Sequence, residues 1–281
     1  MMKLSKRLAL NYIRAKFKLL SAISKKKAAE KAFELFITPQ TKDRHEWKGI
    51  FADAEILRFK LFDHQITGYR WNKGGNRRVL ILHGFESAAT NFEKYIDPLI
   101  CKGYEVLAFD APAHGHSSGT QITALLYRDL IKYAHENYGP ILSYMGHSLG
   151  GFALSLALAE LPHDENFRAV FIAPSSETTT AIDNSFLLLQ LDADVRREFE
   201  NIITQMSGRP VSWFSINRTM SDIRARILWI HDEGDTITPL RDAMKIKEAN
   251  YPNIEFVITF GLGHSRIYRD EEVRRRVVEF L

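Results

Sequence analysis

The stretch Ile141-Leu142-Ser143-Tyr144-Met145-Gly146-His147-Ser148-Leu149-Gly150-Gly151 runs on into an alanine- and leucine-rich segment from Phe152 to Glu160. A short apolar run enters Gly-His-Ser-Leu-Gly and a segment of helical character leaves it, which predicts strand, sharp turn and helix with a serine at the tip. Gly146 and Gly150 suit such a turn because two backbones meet there too closely for a Cβ. Ser148 would then project from the strand ends in a strained conformation. The N–H of Leu149 would open the helix N-terminus, where developing negative charge is favoured.

A serine hydroxyl is a weak nucleophile at neutral pH and needs a base within hydrogen-bonding reach and a third group to orient that base. Two later loops supply them. After the apolar run Ile227 to Ile230 comes His231-Asp232-Glu233-Gly234-Asp235-Thr236-Ile237-Thr238-Pro239, and after Ile254 to Phe260 comes Gly261-Leu262-Gly263-His264-Ser265. The order Ser148, Asp235, His264 is serine, acid, histidine, unlike either main serine-protease order. Asp235, four residues before Pro239, is the favoured acid among three carboxylates in its loop. His264 is the favoured base, and the other histidines are read as structural or surface residues. The loop His83-Gly84-Phe85-Glu86-Ser87 follows another apolar run, Val79 to Leu82, so the N–H of Phe85 joins that of Leu149 as a candidate oxyanion donor.

The whole chain bounds these readings. Its 281 residues suffice for one large α/β domain with an insertion, and the 45% apolar content with 18 phenylalanines excludes a disordered chain. The single cysteine, Cys101, excludes an intrachain disulfide and a cysteine zinc cluster, so no metal or cofactor is expected; its place at a helix end suggests a buried structural thiol. Net charge is +4, yet ten lysines and arginines precede residue 32 against the single acid Glu30. The remainder is slightly acidic, which argues against a nucleic-acid partner.

Short apolar runs alternate with helical patterns from residue 77 onward, implying a mainly parallel sheet with helices on both faces and functional loops at the strand C-termini. Two alternating segments, Ala54 to Leu61 and Gln65 to Trp71, precede it as an antiparallel hairpin. Between Pro174 and Asp222 the alternation breaks into helical patches, read as a helical cap over about 175–222. Its apolar residues Phe186, Leu187, Leu188, Leu189, Trp213 and Phe214 either line a hydrophobic substrate pocket, with Phe186, Leu189 and Trp213 foremost, or pack the cap onto the core.

Residues 1–45 form a separate basic helical extension ahead of the domain at 46–281. Leu4, Leu8, Ile13, Phe17, Leu20 and Ile23 recur at roughly helical spacing with lysine and arginine between them. Arg14, Lys16 and Lys18 interrupt any secretory apolar core, so a cytoplasmic location is expected. The helix either folds back onto the domain with its lysines in water, which is preferred, or makes peripheral contact with an anionic membrane surface.

From Arg77 to the C-terminus the chain resembles the α/β-hydrolase fold family, through His83-Gly84, Asp110-Ala111-Pro112-Ala113-His114-Gly115-His116-Ser117, Gly146 to Gly151, Asp235 with Pro239, and Gly263-His264. The resemblance implies an esterase- or lipase-like serine hydrolase acting on a small-molecule acyl substrate. Its usual nucleophile, acid, base and oxyanion positions fall on the residues chosen above. Thioesterase, peptidase and acyltransferase chemistry use the same machinery, and a ligand-binding protein that kept the fold is the rival from another class. Two departures stand out. Ala113 occupies a position where glycine is frequent, so that turn is expected to differ, and Asp232 stands where glycine is frequent, which keeps it as a rival for the acid.

Overall fold

The computed structural model describes residues 4–42 and 46–281, with side chains from residue 7; the side chain of Leu4 and the whole of His45 lie outside it. Eight strands make one sheet: β1 (Glu55–Leu61), β2 (His64–Trp71), β3 (Arg77–Leu82), β4 (Tyr104–Phe109), β5 (Ser143–His147), β6 (Arg168–Ile172), β7 (Arg226–Asp232) and β8 (Ile254–Thr259). Their order is β1-β2-β4-β3-β5-β6-β7-β8. The hairpin β1–β2 and the pair β2–β4 are antiparallel, and every other pairing is parallel. Every residue of β4 and β5 is buried, as expected of strands covered on both faces.

The chain divides into two compact units. The larger, Pro39–Ser176 with Ile216–Leu281, carries the sheet. The smaller joins residues up to Thr38 to Glu177–Ser215. In the smaller unit α1 (Leu4–Ile23) and α2 (Lys25–Ile37) pack with α6 (Thr178–Leu189) and α7 (Ala193–Ser207). The sheet unit holds α3 (Glu93–Cys101), α4 (Ala124–Tyr138), α5 (Leu149–Leu158), α9 (Leu240–Glu248) and α11 (Glu271–Phe280), besides the single turns α8 (Ile216–Thr219) and α10 (Gly263–Arg266). The sequence boundaries treat extension and insertion as separate pieces, whereas these helices share one core. At its centre the Phe199 ring meets Phe33, Phe36 and Phe186 edge-on at 5.6, 5.6 and 5.2 Å. Asp192 caps α7 through the N–H groups of Asp194 and Val195 and also receives Lys25 Nζ at 2.6 Å, tying α2 to α7.

Two expectations are corrected. Cys101 does end α3, but it is exposed and is no buried thiol. The apolar residues of α1 do not form one stripe: Phe17 is buried and Ile13 and Leu20 are half-buried, whereas Leu8 and Ile23 are 62% and 71% exposed.

Two loops at the strand C-termini are fixed by buried polar side chains. Asp110, just past β4, accepts from Tyr69 Oη, Ala89 N–H and His116 N–H at 2.9, 3.0 and 2.9 Å. A Cβ at Gly115 would strike that carboxylate at 2.2 Å, so only glycine closes the turn. Ala113 adopts φ +68°, so the turn keeps the left-handed conformation and the alanine bears its strain, ~1 kcal/mol or more. The loop after β3 is pinned by two neutral histidines. His83 donates from Nδ1 to Gly84 O and accepts the Ala111 N–H; His114 donates to Pro112 O and accepts the Glu86 N–H. Each imidazole must stay unprotonated at Nε2 to accept, and burial holds His83 down to about 4 and His114 to about 3.

Two outcomes follow from this packing. Phe199→Ala removes the ring shared by three others and is expected to destabilise the helical unit by ~3–5 kcal/mol, read as a lowered urea midpoint of the helical circular dichroism signal. The depressed histidines make stability fall on acidification, because below about pH 6.5 the unfolded chain takes up protons that the folded chain refuses. Urea unfolding between pH 7.5 and 5 should lose roughly 1 kcal/mol per buried histidine for each pH unit below 6.5, and a flat profile would contradict this assignment of neutral rings.

Candidate active site

Ser148 sits between the last residue of β5 and the first of α5 with φ +53° and ψ −119°, the strained turn expected of its motif. Sterics impose it. A Cβ at Gly146 would lie 2.7 Å from Gly151 Cα, and one at Gly150 would lie 2.5 Å from the carbonyl oxygen of His83. The Ser148 carbonyl accepts from Phe152 N–H, and its own N–H donates to Ile172 O, so the corner is held on both sides.

Asp235 and His264 come from the loops after β7 and β8, neighbours in the sheet. His264 Nε2 lies 3.1 Å from Ser148 Oγ, and its Nδ1 lies 2.8 Å from Asp235 Oδ2. The sequence-predicted trio is thus brought into one continuous relay. Asp235 Oδ1 accepts the N–H groups of Ile237 and Thr238 at 2.8 and 2.9 Å. Burial acts to raise the Asp235 carboxyl, but bonds from His264 and Thr238 outweigh it and keep it below the usual carboxylate range. The carboxylate is therefore ionised at neutral pH, and Nδ1 of His264 carries the proton facing it.

The rival carboxylate has another task. Asp232 accepts from Gly234 N–H at 3.0 Å, Thr259 Oγ1 at 2.8 Å and Leu262 N–H at 3.0 Å. Those donors come from the acid loop, the end of β8 and the histidine loop, so Asp232 locks the two loops together. It is Asp235 whose carboxylate reaches the imidazole.

Sequence reasoning passed over Thr238. Thr238 Oγ1 lies 2.8 Å from Asp235 Oδ2 and 3.0 Å from His264 Nδ1, so it braces the acid against the imidazole. An aspartate followed three residues later by threonine is a common local loop pattern, and nothing in its spacing tells brace from turn. His147 donates from Nε2 to the His264 carbonyl at 3.0 Å, and its ring lies 4.8 Å from that of His264 and 4.5 Å from that of Tyr268. Burial, then repulsion from His264, lowers His147 to about 3, so it serves as a neutral wedge against His264. His231 is likewise fixed, with Nε2 2.6 Å from Thr238 O.

The loop after β3 runs against the serine: a Cβ at Gly84 would lie 3.0 Å from Ser148 Cβ and 2.9 Å from His147 Nδ1. Phe85, the predicted donor, stands between residues held by His83 and His114. Leu149 opens α5, where the first backbone N–H groups have no acceptor within the helix. The three residues read as substrate-binding lie in the helical unit. Phe186 and Leu189 are 6% and 7% exposed, with the Phe186 ring against Phe199 and under the Arg196 guanidinium, so both contribute to that unit's own core. Trp213 packs edge-on against Phe214 and lies under Arg209. Among the described residues no group of three or more His, Cys, Asp or Glu is arranged to hold a metal ion.

Comparison with known proteins agrees with this fold. The family described as serine aminopeptidase, S33, matches residues 75–199, which takes in Ser148 and ends before Asp235 and His264. A 2-hydroxy-6-oxononadienedioate/2-hydroxy-6-oxononatrienedioate hydrolase of Cupriavidus pinatubonensis is 25% identical over 253 residues, 74% of this chain and 87% of its own length. Among solved structures, a Pyrococcus furiosus esterase superposes with a TM-score of 0.66 at 22% identity, covering 87% of this chain and 98% of its own. The thioesterase domain from the curacin biosynthetic pathway superposes with a TM-score of 0.59 at 16% identity, over 80% and 99% of the two chains. Strand order, the strained serine turn and these likenesses together show that the chain has the α/β-hydrolase fold.

Proposed function

We propose that the chain is a serine hydrolase that cleaves a carboxylic ester, or a related acyl bond, of a small apolar substrate through an acyl-enzyme. The observation that carries this is the relay from Asp235 through His264 to Ser148, with separations of 2.8 and 3.1 Å. His264 Nε2 takes the Ser148 proton as Oγ attacks the carbonyl carbon, and the imidazolium so formed is stabilised by the ionised Asp235. The N–H groups of Phe85 and Leu149 receive the oxyanion; one such donor contributes on the order of 3 kcal/mol to transition-state stabilisation. His264 then protonates the leaving alcohol, the C–O bond breaks, and water activated by the same imidazole releases the acid and restores the serine.

The preference for an apolar substrate is supported by side chains on the reactive loops. Phe85, Ile237 and Phe260, each on a loop that carries one of the proposed site residues, are 36%, 61% and 73% exposed and so present apolar surface there. The Cupriavidus relative is a hydrolase and the Pyrococcus neighbour an esterase by name, in line with acyl-bond cleavage. Thioester and amide hydrolysis and acyl transfer need the same three residues, so substrate panels separate them.

A series of p-nitrophenyl esters of increasing acyl length tests the proposal. Wild-type protein should release nitrophenol, with kcat/KM rising as the acyl chain lengthens from acetate. Ser148→Ala should lower kcat by ~10⁴-fold or more, and Asp235→Asn by about 10⁴-fold. Asp232→Asn should lower the thermal midpoint while keeping kcat within about tenfold of wild type wherever the fold persists. Equal activity of Ser148→Ala and wild type would end the proposal, and a variant Asp232→Asn as inactive as Asp235→Asn at full folding would reverse the division of labour between the two carboxylates.

A further inference from the structure

Helix α1 carries two apolar faces, and among the described residues only one of them is covered by protein. At about 100° per residue, Leu10, Ile13, Phe17 and Leu20 share one side, which is buried or half-buried toward α2 and α6. Leu8, Tyr12, Leu19 and Ile23 fall within roughly 60° of arc on the opposite side. They are 62%, 71%, 67% and 71% exposed, a row of four large apolar side chains from Leu8 to the last residue of the helix. Single exposed leucines are ordinary, but an aligned row of this length is not.

Charge decides what covers it. Lys16 flanks the row on one side and Arg7 and Lys18 on the other, all exposed, and no acidic residue precedes Glu30. Lys26 and Lys27, at the start of α2, are exposed as well. Arg14, on the edge of the buried side, donates to the Leu188 carbonyl at 2.8 Å, which sets the C-terminal turn of α6, with Leu187 and Leu188 79% and 52% exposed, beside α1. A second copy of the chain would bring Arg7, Lys16 and Lys18 against their own counterparts. An apolar row bordered on both sides by cations is instead complementary to the interface of an anionic bilayer, with apolar tips among the acyl chains and cations among the headgroups. Among the described residues no helix is long and apolar enough to cross a membrane, so the contact would be one of lying on the surface.

We propose that the exposed face of α1, formed by Leu8, Tyr12, Leu19 and Ile23 and bordered by Arg7, Lys16 and Lys18, docks the protein on the surface of an anionic phospholipid membrane. The proposal stands apart from the hydrolytic reading, since no reactive residue takes part in it.

Co-sedimentation of the full chain with phosphatidylcholine vesicles, with and without phosphatidylglycerol, tests it. Wild type should pellet with the anionic vesicles, at least ~tenfold more strongly than with neutral ones, and should be released by added salt. The variant L8Q/L19Q/I23Q, whose substitutions lie at exposed positions, should keep its circular dichroism spectrum and lose binding ~tenfold or more. The variant R7Q/K16Q/K18Q should weaken binding by on the order of fivefold per charge removed. Absence of wild-type binding, or equal binding by wild type and L8Q/L19Q/I23Q, would overturn the proposal. So would a concentration-dependent dimer in sedimentation velocity that L8Q/L19Q/I23Q abolishes, since a second copy would then own the face.

Discussion

Backbone crowding at the end of β5 is the constraint on which the rest depends. Gly146 lies against Gly151, and Gly150 lies against the carbonyls of Leu82 and His83, at distances no Cβ tolerates. That closeness leaves Ser148 alone on the tip at φ +53°. The same contact brings the loop after β3 alongside the serine, because α5 can approach β3 only where side chains are missing. The position of Ser148 and the position of the neighbouring amides are thus one steric fact. The strain of a non-glycine residue at positive φ, roughly 1–3 kcal/mol, is borne by the surrounding packing of Phe152, Ala153, Leu156 and Ala157 in α5.

Around this corner, histidines divide by their partners. His83, His114, His147 and His231 are buried and each gives a ring proton to a carbonyl oxygen, so burial keeps them neutral and they act as rigid spacers. His264 alone among the site histidines faces a carboxylate at hydrogen-bonding distance on one side and a hydroxyl on the other. His231 stands 3.8 Å from the same carboxylate and bonds a carbonyl instead, so only His264 joins Asp235 to the serine by hydrogen bonds. The two aspartates divide in the same manner. Asp232 spends its oxygens on donors of the two loops, whereas Asp235 keeps one oxygen for the imidazole.

Much of this was legible in the sequence because it rests on local rules. Gly146-His147-Ser148-Leu149-Gly150 between an apolar run and an alanine-rich segment specifies strand, turn and helix, and apolar runs ending in Gly84, Asp235 and His264 mark strand C-termini. What stayed hidden depends on distant contacts. The choice between Asp232 and Asp235 turns on which carboxylate reaches the His264 imidazole, and spacing is silent on that. Thr238 looks like any turn residue until Asp235 and His264 close around it. Periodicity located α1 and puts Leu8 and Phe17 on opposite sides, but it could not say which side packs on the protein. Nor does any sequence pattern join α2 to α7; Phe33, Phe36, Phe186 and Phe199 do so through ring contacts between segments remote in the chain.

The central claim is that Ser148 Oγ is an activated nucleophile, and peptide mapping after exposure to a fluorophosphonate tests it most directly. The account predicts a single stoichiometric adduct on the peptide containing Ser148, formed far faster than on a chain lacking the His264 imidazole. An unlabelled chain, or label on another residue with Ser148 unmodified, would contradict it.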